Sequence, residues 1–247
     1  MSAFILTLPS NASSEIFPDN STSEFRTQLS DRIYLLREHY EVALMQISYI
    51  HSIKTFSKAN DNKIQCIKNN DKSKHEVCIP NVSYTTLEDL VITVNQTLST
   101  TLNSAHSPKL QYNKNMNRIS LITGEFDVHL SNMLAAMLGF HITFFTSSKT
   151  IEAKLIPDIR SGRHSMYIYC DLVESQYVGD KKAPLLRELP LIGSEGEAIV
   201  QTFALPFYIP LRLSQFDTIH IRIADESGDP IIFEKGNFTA TLHLRPS

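Results

Sequence analysis

The chain has 247 residues and a formal charge of −3, with 42% hydrophobic and 20% charged residues. This composition is typical of an ordinary globular protein, long enough for one all-β domain that carries an insertion. The charge balance gives no general signature of binding to nucleic acid or to a membrane surface. The apolar run in the first ten residues is too short for a signal peptide or a membrane span, so we expect synthesis in a reducing, intracellular compartment.

The amino-terminal part predicts three strands separated by turn-forming residues. A first strand covers residues 3–8 and ends before Pro9. Alternating apolar and polar residues predict a second strand over 24–29, and a more uniform apolar run over 41–50 is typical of a strand buried on both faces. Residues 10–22 are turn-formers and predict a loop.

The segment 52–160 has a different pattern, which predicts a compact α+β unit. Thr85 and Glu88 have the spacing of a capping box before an amphipathic helix, and Ser131 precedes a short apolar helix that ends at Gly139. The strands predicted around these helices form a first hairpin from 63–68 and 74–80, a second hairpin over 109–122, and a single strand over 126–130.

A hairpin centred on residue 72 would place Cys66 opposite Cys78, within the reach of a disulfide. Because cytosolic thiols stay reduced, we favour two unpaired thiols on a solvated hairpin. Five lysines, at positions 58, 63, 68, 72 and 74, lie in this region. Without interleaved aromatic residues they indicate a solvated face rather than a binding site for an acidic partner.

The stretch from Ser165 to Leu191 is the most informative part of the chain. Met166 and Ile168 alternate with Tyr167 and Tyr169, which predicts a half-buried strand over 165–173. A polar bend at 179–182 follows, and then an apolar segment bracketed by Pro184 and Pro190. Because proline cannot donate to a sheet ladder, we expect this arm to lie along a sheet edge or against a neighbour.

The carboxyl-terminal part predicts four further strands, over 198–205, 218–224, 230–234 and 238–244, with a turn at Asp225–Asp229. Outside the central unit the total is eight strands, the number in a jelly roll. The sequence therefore predicts an all-β fold, a single jelly-roll β-sandwich of residues 1–51 and 161–247. The α+β subdomain of residues 52–160 is inserted between its third and fourth strands.

We find no sequence pattern that specifies a catalytic site, a cofactor or a metal, so we expect that the protein is not an enzyme. His220 and His243 could share a polar sheet surface and bind a metal, but solvated strand histidines are the simpler interpretation. A cupin-type metalloprotein would need several histidines converging inside the sandwich. The acidic turn lacks the ligand spacing of an EF-hand, and we interpret it as an ordinary turn between strands.

Tyr167, Tyr169 and Tyr177 leave two interpretations open. Tyrosines are enriched at protein interfaces, because the ring is buried while the hydroxyl stays polar. The same residues could equally pack under the arm at 181–191. We regard both as open at this stage.

Seven segments of the chain together suggest a known family. They are F-x-L-T-L-P-S, N-S-T-S-E-F-R-T-Q-L, Y-E-V-A-L-M-Q-I-S-Y, Y-T-T-L-E-D-L, L-S-N-M-L-A-A-M-L-G-F, Y-I-Y-C-D-L-V-E-S-Q-Y-V-G-D-K-K-A-P-L-L-R and F-T-A-T-L-H-L-R. In this order, and over nearly the whole chain, they resemble the minor capsid (penton) protein of Polinton/Maverick elements and related adintoviruses. The most specific segment is the block at 167–187, and the chain departs from the family at Tyr40, where members often carry tryptophan.

The resemblance implies a virion capsid protein that forms homopentamers at the five-fold vertices of an icosahedral shell, beside a double-jelly-roll major capsid protein. We hypothesise that the arm at 179–191 and the nearby tyrosines contribute to the contacts, and that Asp at positions 185 and 186 would abolish pentamers. We also expect the inserted unit to face a host surface or the capsid exterior. An alternative is a jelly-roll ligand-binding module, lectin-like or cytokine-like. The candidate interface residues are Tyr167, Tyr169, Tyr177, Leu185, Leu186 and Arg187.

Overall fold

The computed structural model describes residues 2–35, 39–56, 58–160 and 162–247. These form two compact units, one from the residues up to Ile53 together with Arg163–Ser247, the other from Lys54–Gly162. The sequence predicted boundaries after residues 51 and 160, and each lies two residues before the corresponding boundary in the structure. Met1 and Ser161, at which the two predicted jelly-roll segments begin, lie outside the described residues.

The described residues form eighteen strands and two helices. In chain order they are β1 Phe4–Pro9, β2 Glu24–Tyr34, β3 Tyr40–Ile50, β4 Lys63–Lys68, β5 Lys74–Cys78, α1 Leu87–Leu102, β6 Lys109–Asn113, β7 Arg118–Ile122, β8 Phe126–Leu130, α2 Asn132–Met137, β9 Phe144–Phe145, β10 Thr150–Glu152, β11 Ser165–Cys170, β12 Gln176–Val178, β13 Lys181–Ala183, β14 Leu185–Pro190, β15 Ala198–Thr202, β16 Ile209–Pro210, β17 Gln215–Ala224 and β18 Thr239–Pro246.

The first unit contains two large antiparallel sheets and a separate two-stranded hairpin of β12 and β13. In the first, which we call sheet A, the strand order is β1-β18-β3-β15, and β16 pairs with another part of β3. In the second, sheet B, the order is β14-β11-β17-β2. Strands that are distant in the chain are therefore neighbours in both sheets, and the unit is a single jelly roll. The fold class predicted from sequence is confirmed.

One apolar core joins the two sheets. Leu44 and Leu242 come from sheet A, and Ile168 and Ile221 from sheet B, and all four are fully buried in the same cluster. Ile219, Ile221 and Ile223, which alternate with polar residues in the strand predicted over 218–224, form the inward face of β17.

The second unit has its own core. The strands form a four-stranded sheet of order β5-β4-β8-β9 and a three-stranded sheet of order β10-β7-β6. Helix α1 buries Leu90, Val91, Val94 and Leu98, the stripe predicted from its periodicity. None of the helices in the described ranges is both long and apolar enough to cross a membrane.

Two strand predictions are wrong in detail. Residues 230–234 make isolated bridges, Pro230 with Ala224 and Phe233 with Ile53, rather than a strand. Pro230 has no N–H to donate to a ladder, which disfavours continuous pairing there. The eighth long strand of the sandwich is instead β14, the segment interpreted from sequence as an arm.

Two local predictions in the second unit are also corrected. The cap of α1 is Thr86, not Thr85, and its hydroxyl accepts the backbone N–H of Asp89 at 3.2 Å. In the first hairpin, Cys66 lies opposite His75, and Cys78 lies opposite Lys63. The true register therefore differs by three residues from the predicted one. Ser131 does cap α2, and Gly139 follows its end at φ +82°, as predicted.

Candidate functional site

Leu185–Pro190 forms β14, which lies at the edge of sheet B beside β11. The prediction of an edge position is confirmed, and its physical reason is the two prolines, Pro184 just before the strand and Pro190 at its end. A bulge interrupts the pairing, because Ile168 lies opposite Arg187 while the next residue, Tyr169, lies opposite Leu185. Leu186 is therefore the extra residue, and the edge bends at this point.

Leu186 is a buried core residue and must be removed from the candidate interface. Only 1% of its surface is exposed, and it belongs to the cluster that joins the two sheets. Its side chain is therefore not available to a neighbouring subunit. Leu185 is half-buried, and it remains a candidate.

Tyr167 and Tyr169 lie on the outer face of sheet B and are half-buried. Burial, and secondarily the nearby carboxylate of Glu188, raises the pKa of Tyr167. Burial also raises the pKa of Tyr169, whose ring lies 6.0 Å from the guanidinium carbon of Arg222. These two rings therefore pack in part against other residues of the same chain.

Tyr177 lies on a separate hairpin formed by β12 and β13. Its side chain is 74% exposed, and the ammonium of Lys182 lies 5.2 Å from its ring centroid. The ring does not pack under the arm, and it presents an amphipathic surface to the outside of the subunit.

Arg187 lies at the side of the sandwich where β14 of sheet B approaches the end of β15 of sheet A. Its guanidinium carbon is 4.0 Å from the ring centroid of Phe203. Its Nη1 atom is buried and has no hydrogen-bond partner among the described residues. Burial lowers the pKa of Arg187. An inward-pointing cation on an edge strand is a common protection against edge-to-edge pairing.

A cleft of about 300 Å³ opens on the outer face of sheet B. Asp171 in this cleft accepts the backbone N–H of His220 at 2.9 Å, and burial raises the pKa of its carboxyl group. The imidazole Nε2 of His220 lies 3.1 Å from Oε1 of Glu24. The cleft is lined by Tyr169, Cys170, Asp171, Ala183, Pro184, His220 and Arg222.

His220 and His243 do not share a surface, so the less favoured alternative, a metal site on one polar sheet surface, is wrong. His220 lies on β17 in sheet B, and His243 lies on β18 in sheet A, where its Nδ1 is 2.7 Å from the hydroxyl of Tyr208. Within the described ranges, no group of three or more His, Cys, Asp or Glu side chains could hold a metal ion.

The acidic turn is a structural turn, as predicted. The carboxylate of Asp225 accepts the backbone N–H groups of Ser227 at 2.9 Å and Asp229 at 3.1 Å. Gly228 has φ +81°, which closes the turn. The carboxylate is therefore used by the turn itself.

The lysines of the insertion are partly engaged with local partners. Lys63 pairs with Glu76 at 2.9 Å, and Lys68 with Glu125 at 3.5 Å. Lys72 donates to the side-chain oxygen of Asn69 at 2.9 Å, while Lys74 is exposed. Lys58 is exposed as well, whereas Lys63 and Lys68 are half-buried, so the prediction of a solvated face holds for three of the five lysines.

An apolar surface along β15 and the loop that follows it was not predicted from the sequence. Val200 on β15 is 65% exposed, and Leu205 in the loop is 87% exposed. The available signal was the uncharged run A-I-V-Q-T-F-A-L-P-F at 198–207. It was interpreted only as one long strand, whereas the strand ends at Thr202.

Comparison with solved structures gives a match over the full length. A crystal structure of the selenomethionine-labelled mavirus penton protein aligns with 100% of this chain and 100% of its own, at 10% identity and a TM-score of 0.50. The fold therefore resembles that of a penton protein. The D2–D3 domains of the flagellar cap protein FliD from Escherichia coli also align, over 100% and 99%, at 9% identity and a TM-score of 0.22. That score is too low to indicate a shared fold. No family model and no curated protein sequence matches the chain.

Proposed function

We propose that this chain is a penton-like minor capsid protein of the kind that Polinton/Maverick elements and adintoviruses encode. Five copies form a closed ring at each five-fold vertex of an icosahedral shell, beside a double-jelly-roll major capsid protein. The observation that carries the proposal is the full-length fold resemblance to the mavirus penton protein. The sequence resemblance supports it independently, especially the block at 167–187.

A ring of five identical subunits needs two different, complementary flanks on each subunit. The jelly roll has two such flanks. The contact between Arg187 and Phe203 brings the edges of β14 and β15 together on one side. The opposite edges of the two sheets, β1 and β2, form the other side.

The role in this proposal is structural, and the protein is synthesised inside the host cell and incorporated into the virion capsid. Tyr167, Tyr169, Tyr177, Leu185 and Arg187 remain candidate contacts to a neighbouring subunit or to the surrounding shell. Tyr177 is the strongest of these, because its exposed ring and Lys182 form an amphipathic contact surface.

We also propose that the unit at Lys54–Gly162 faces the capsid exterior or a host surface. Chains inserted between the strands of a rigid sandwich commonly carry recognition functions. Acylation of intact particles with a membrane-impermeant amine reagent tests this placement. Modification of Lys72 and Lys74 would support it, and protection of both lysines in particles but not in purified protein would contradict it.

The proposed function itself is tested by imaging particles assembled from this chain and its cognate major capsid protein. We expect density for five copies at each vertex. This density should be lost when the gene for this chain is omitted. Particles in which the vertices are filled without this chain would contradict the proposal.

The second candidate function is a ligand-binding jelly roll, and the cleft around Asp171 is the observation that favours it. Its volume of about 300 Å³ is at the lower end for small-molecule sites. A glycan or receptor ligand that binds there would raise the melting temperature further as its concentration increases. A rise with a ligand, together with a chain that stays monomeric, would favour this function over the capsid role.

A further inference from the structure

The four edge strands of the sandwich differ in how they are protected. Sheet B ends in β14, which contains Arg187, Glu188 and Pro190, and in β2, which carries charged residues along its length. Sheet A ends in β1, with the sequence FILTLP, and β15, with the sequence AIVQT, and neither contains a charged residue. Charged side chains and prolines commonly prevent edge-to-edge pairing. The edges of sheet A therefore lack the charge that protects those of sheet B, although Pro9, the last residue of β1, also has no N–H to donate.

The outer edge of β15 is open for backbone pairing. The N–H of His51 donates to the carbonyl of Glu197, and the N–H of Phe203 to that of Met45, both at 2.8 Å. Hydrogen-bonded and non-hydrogen-bonded residue pairs alternate along an antiparallel ladder. Because Glu197 and Phe203 are hydrogen-bonded to β3, the odd-numbered residues between them are hydrogen-bonded to β3 as well. The backbone groups of Ala198, Val200 and Thr202 consequently point away from the sheet.

The side chains at this edge are also unusual. Ala198, Val200 and Thr202 are all exposed, on the outer face of sheet A. Leu205 and Phe207 are exposed in the loop that follows, and Leu205 has the highest exposed fraction of the large hydrophobic side chains in the described part of the chain. Contiguous exposed apolar residues of this kind mark interaction surfaces.

The opposite edge of the same sheet has matching properties. The N–H of Ser10 donates to the carbonyl of Phe238 at 2.7 Å, so the even-numbered residues of β1 bond to β18. The backbone groups of Ile5 and Thr7 therefore point outward. Both side chains lie on the outer face, and Ile5 is 61% exposed.

We propose that the edge of β15, together with the loop at 204–207, docks against the β1 edge of a second copy of this chain. Sheet A then continues from one subunit into the next. This inference deepens the proposed function, because it names the contact that closes the ring, and it rests on that function being correct.

Strand direction supports this occupant. Three antiparallel pairings separate β1 from β15, so the two strands run in opposite directions. If the rotation axis of the ring is parallel to the strands, rotation about this axis leaves the direction of each strand unchanged. The β1 strand of the next copy then runs antiparallel to β15. The pairing places Ile5 and Val200 on the same outer face, while Leu6 and Ile199 stay directed toward the core. The contact is heterologous, as a closed ring requires.

The two strands are short, and a stable interface buries about 800 Å² on each partner. The exposed side chains of Leu205 and Phe207 extend the apolar area beyond the strands. The loop is therefore part of the proposed contact.

Cysteine cross-linking tests the contact directly in the full chain. The background carries Cys78→Ser, because Cys78 is exposed, whereas Cys66 and Cys170 are buried. Ile5→Cys combined with Val200→Cys, treated with a short bismaleimide, should give covalent multimers of up to five chains. The matched control combines Val200→Cys with Ile92→Cys, since Ile92 is also an exposed apolar residue but lies on α1, and it should stay uncross-linked.

Two results of this experiment would overturn the inference. One is a sample with the mass of a pentamer in which the Ile5→Cys/Val200→Cys pair gives no multimers. The other is efficient covalent dimers from Val200→Cys alone, which would indicate that two β15 edges meet around a two-fold axis.

A charge placed on the edge gives a second measurement. Val200→Lys should reduce the particle mass from five chains to one while the far-ultraviolet circular dichroism is unchanged, and Ile92→Lys should leave the mass at five chains. A pentamer that survives Val200→Lys would overturn the inference but leave the proposed function intact. A parent chain that is monomeric at every concentration would overturn both.

Discussion

The guanidinium group of Arg187 lies over the ring of Phe203, with 4.0 Å between the guanidinium carbon and the ring centroid. Arg187 belongs to β14 of sheet B, and Phe203 directly follows β15 of sheet A, so this contact ties β14 to the end of β15. The guanidinium also has a buried nitrogen without a hydrogen-bond partner among the described residues. Stacking on the ring therefore stabilises the fold, whereas the burial of the charge destabilises it.

Replacing Arg187 separates these two effects. Arg187→Met keeps a long side chain over the ring and removes the buried charge, so we expect a melting temperature equal to that of the parent chain or higher. Arg187→Ala exposes the ring and should lower the free energy of unfolding by about 1–2 kcal/mol. Thermal unfolding at one fixed protein concentration measures both. A methionine variant that is less stable than the alanine variant would contradict this account.

Leu185 and Leu186 should respond differently to substitution. Leu186 fills the core, so Leu186→Ala should lower the free energy of unfolding by about 2–5 kcal/mol. Leu185 is half-buried at the edge, so Leu185→Asp should leave a cooperatively folded chain. Urea unfolding measures the first effect and circular dichroism the second. Equal losses of stability in the two variants would show that the assignment of Leu186 alone to the core is wrong.

The buried carboxyl group of Asp171 should make stability depend on pH. Burial raises its pKa above the ordinary value of 3.8, so the folded state holds the proton more tightly than the unfolded state. Below pH 3.8 both states are protonated and this group has no effect. As the pH rises through the folded-state pKa, ionisation of Asp171 destabilises the fold.

Asp171→Asn tests this sign. The amide oxygen can still accept the N–H of His220, and the ionisation is removed. We expect the variant to be more stable than the parent chain at neutral pH, and the difference in melting temperature to disappear below pH 3.8. A difference that is independent of pH would contradict the proposed cause.

The three cysteines should differ in reactivity. Cys66 and Cys170 are buried, and burial raises the pKa of each thiol to about 12, whereas Cys78 is exposed. A thiol reagent at neutral pH should therefore modify only Cys78 in the native chain, and all three cysteines after unfolding. Protection of Cys78 that is reversed by a reducing agent would instead indicate a disulfide and would contradict the observed register.

The sandwich was largely predictable because its long strands carry regular signals. Ile219, Ile221 and Ile223 alternate with polar residues, and this pattern alone assigns the inward face of β17. Ser131 and Gly139 bracket α2 with the usual chemistry of helix ends. Each of these signals depends only on neighbours in the chain.

The errors concern properties that depend on partners distant in the chain. The turn after β4 contains several residues that favour turns, so the sequence did not determine the register that places Cys66 opposite His75. The burial of Leu186 depends on a bulge opposite Ile168, which has no signature within β14 itself. The exposed edge of β15 becomes visible only when sheet A shows that no strand in the described residues pairs beyond it.

The mass of the purified chain in solution is the most direct test of the central claim, because the proposed function requires five copies of the chain in a closed ring. Light scattering coupled to size-exclusion chromatography, or native mass spectrometry, measures it. We predict a species of five times the 28.0 kDa mass of the chain. A chain that remains at 28.0 kDa at every concentration tested, with or without the major capsid protein, would contradict the account.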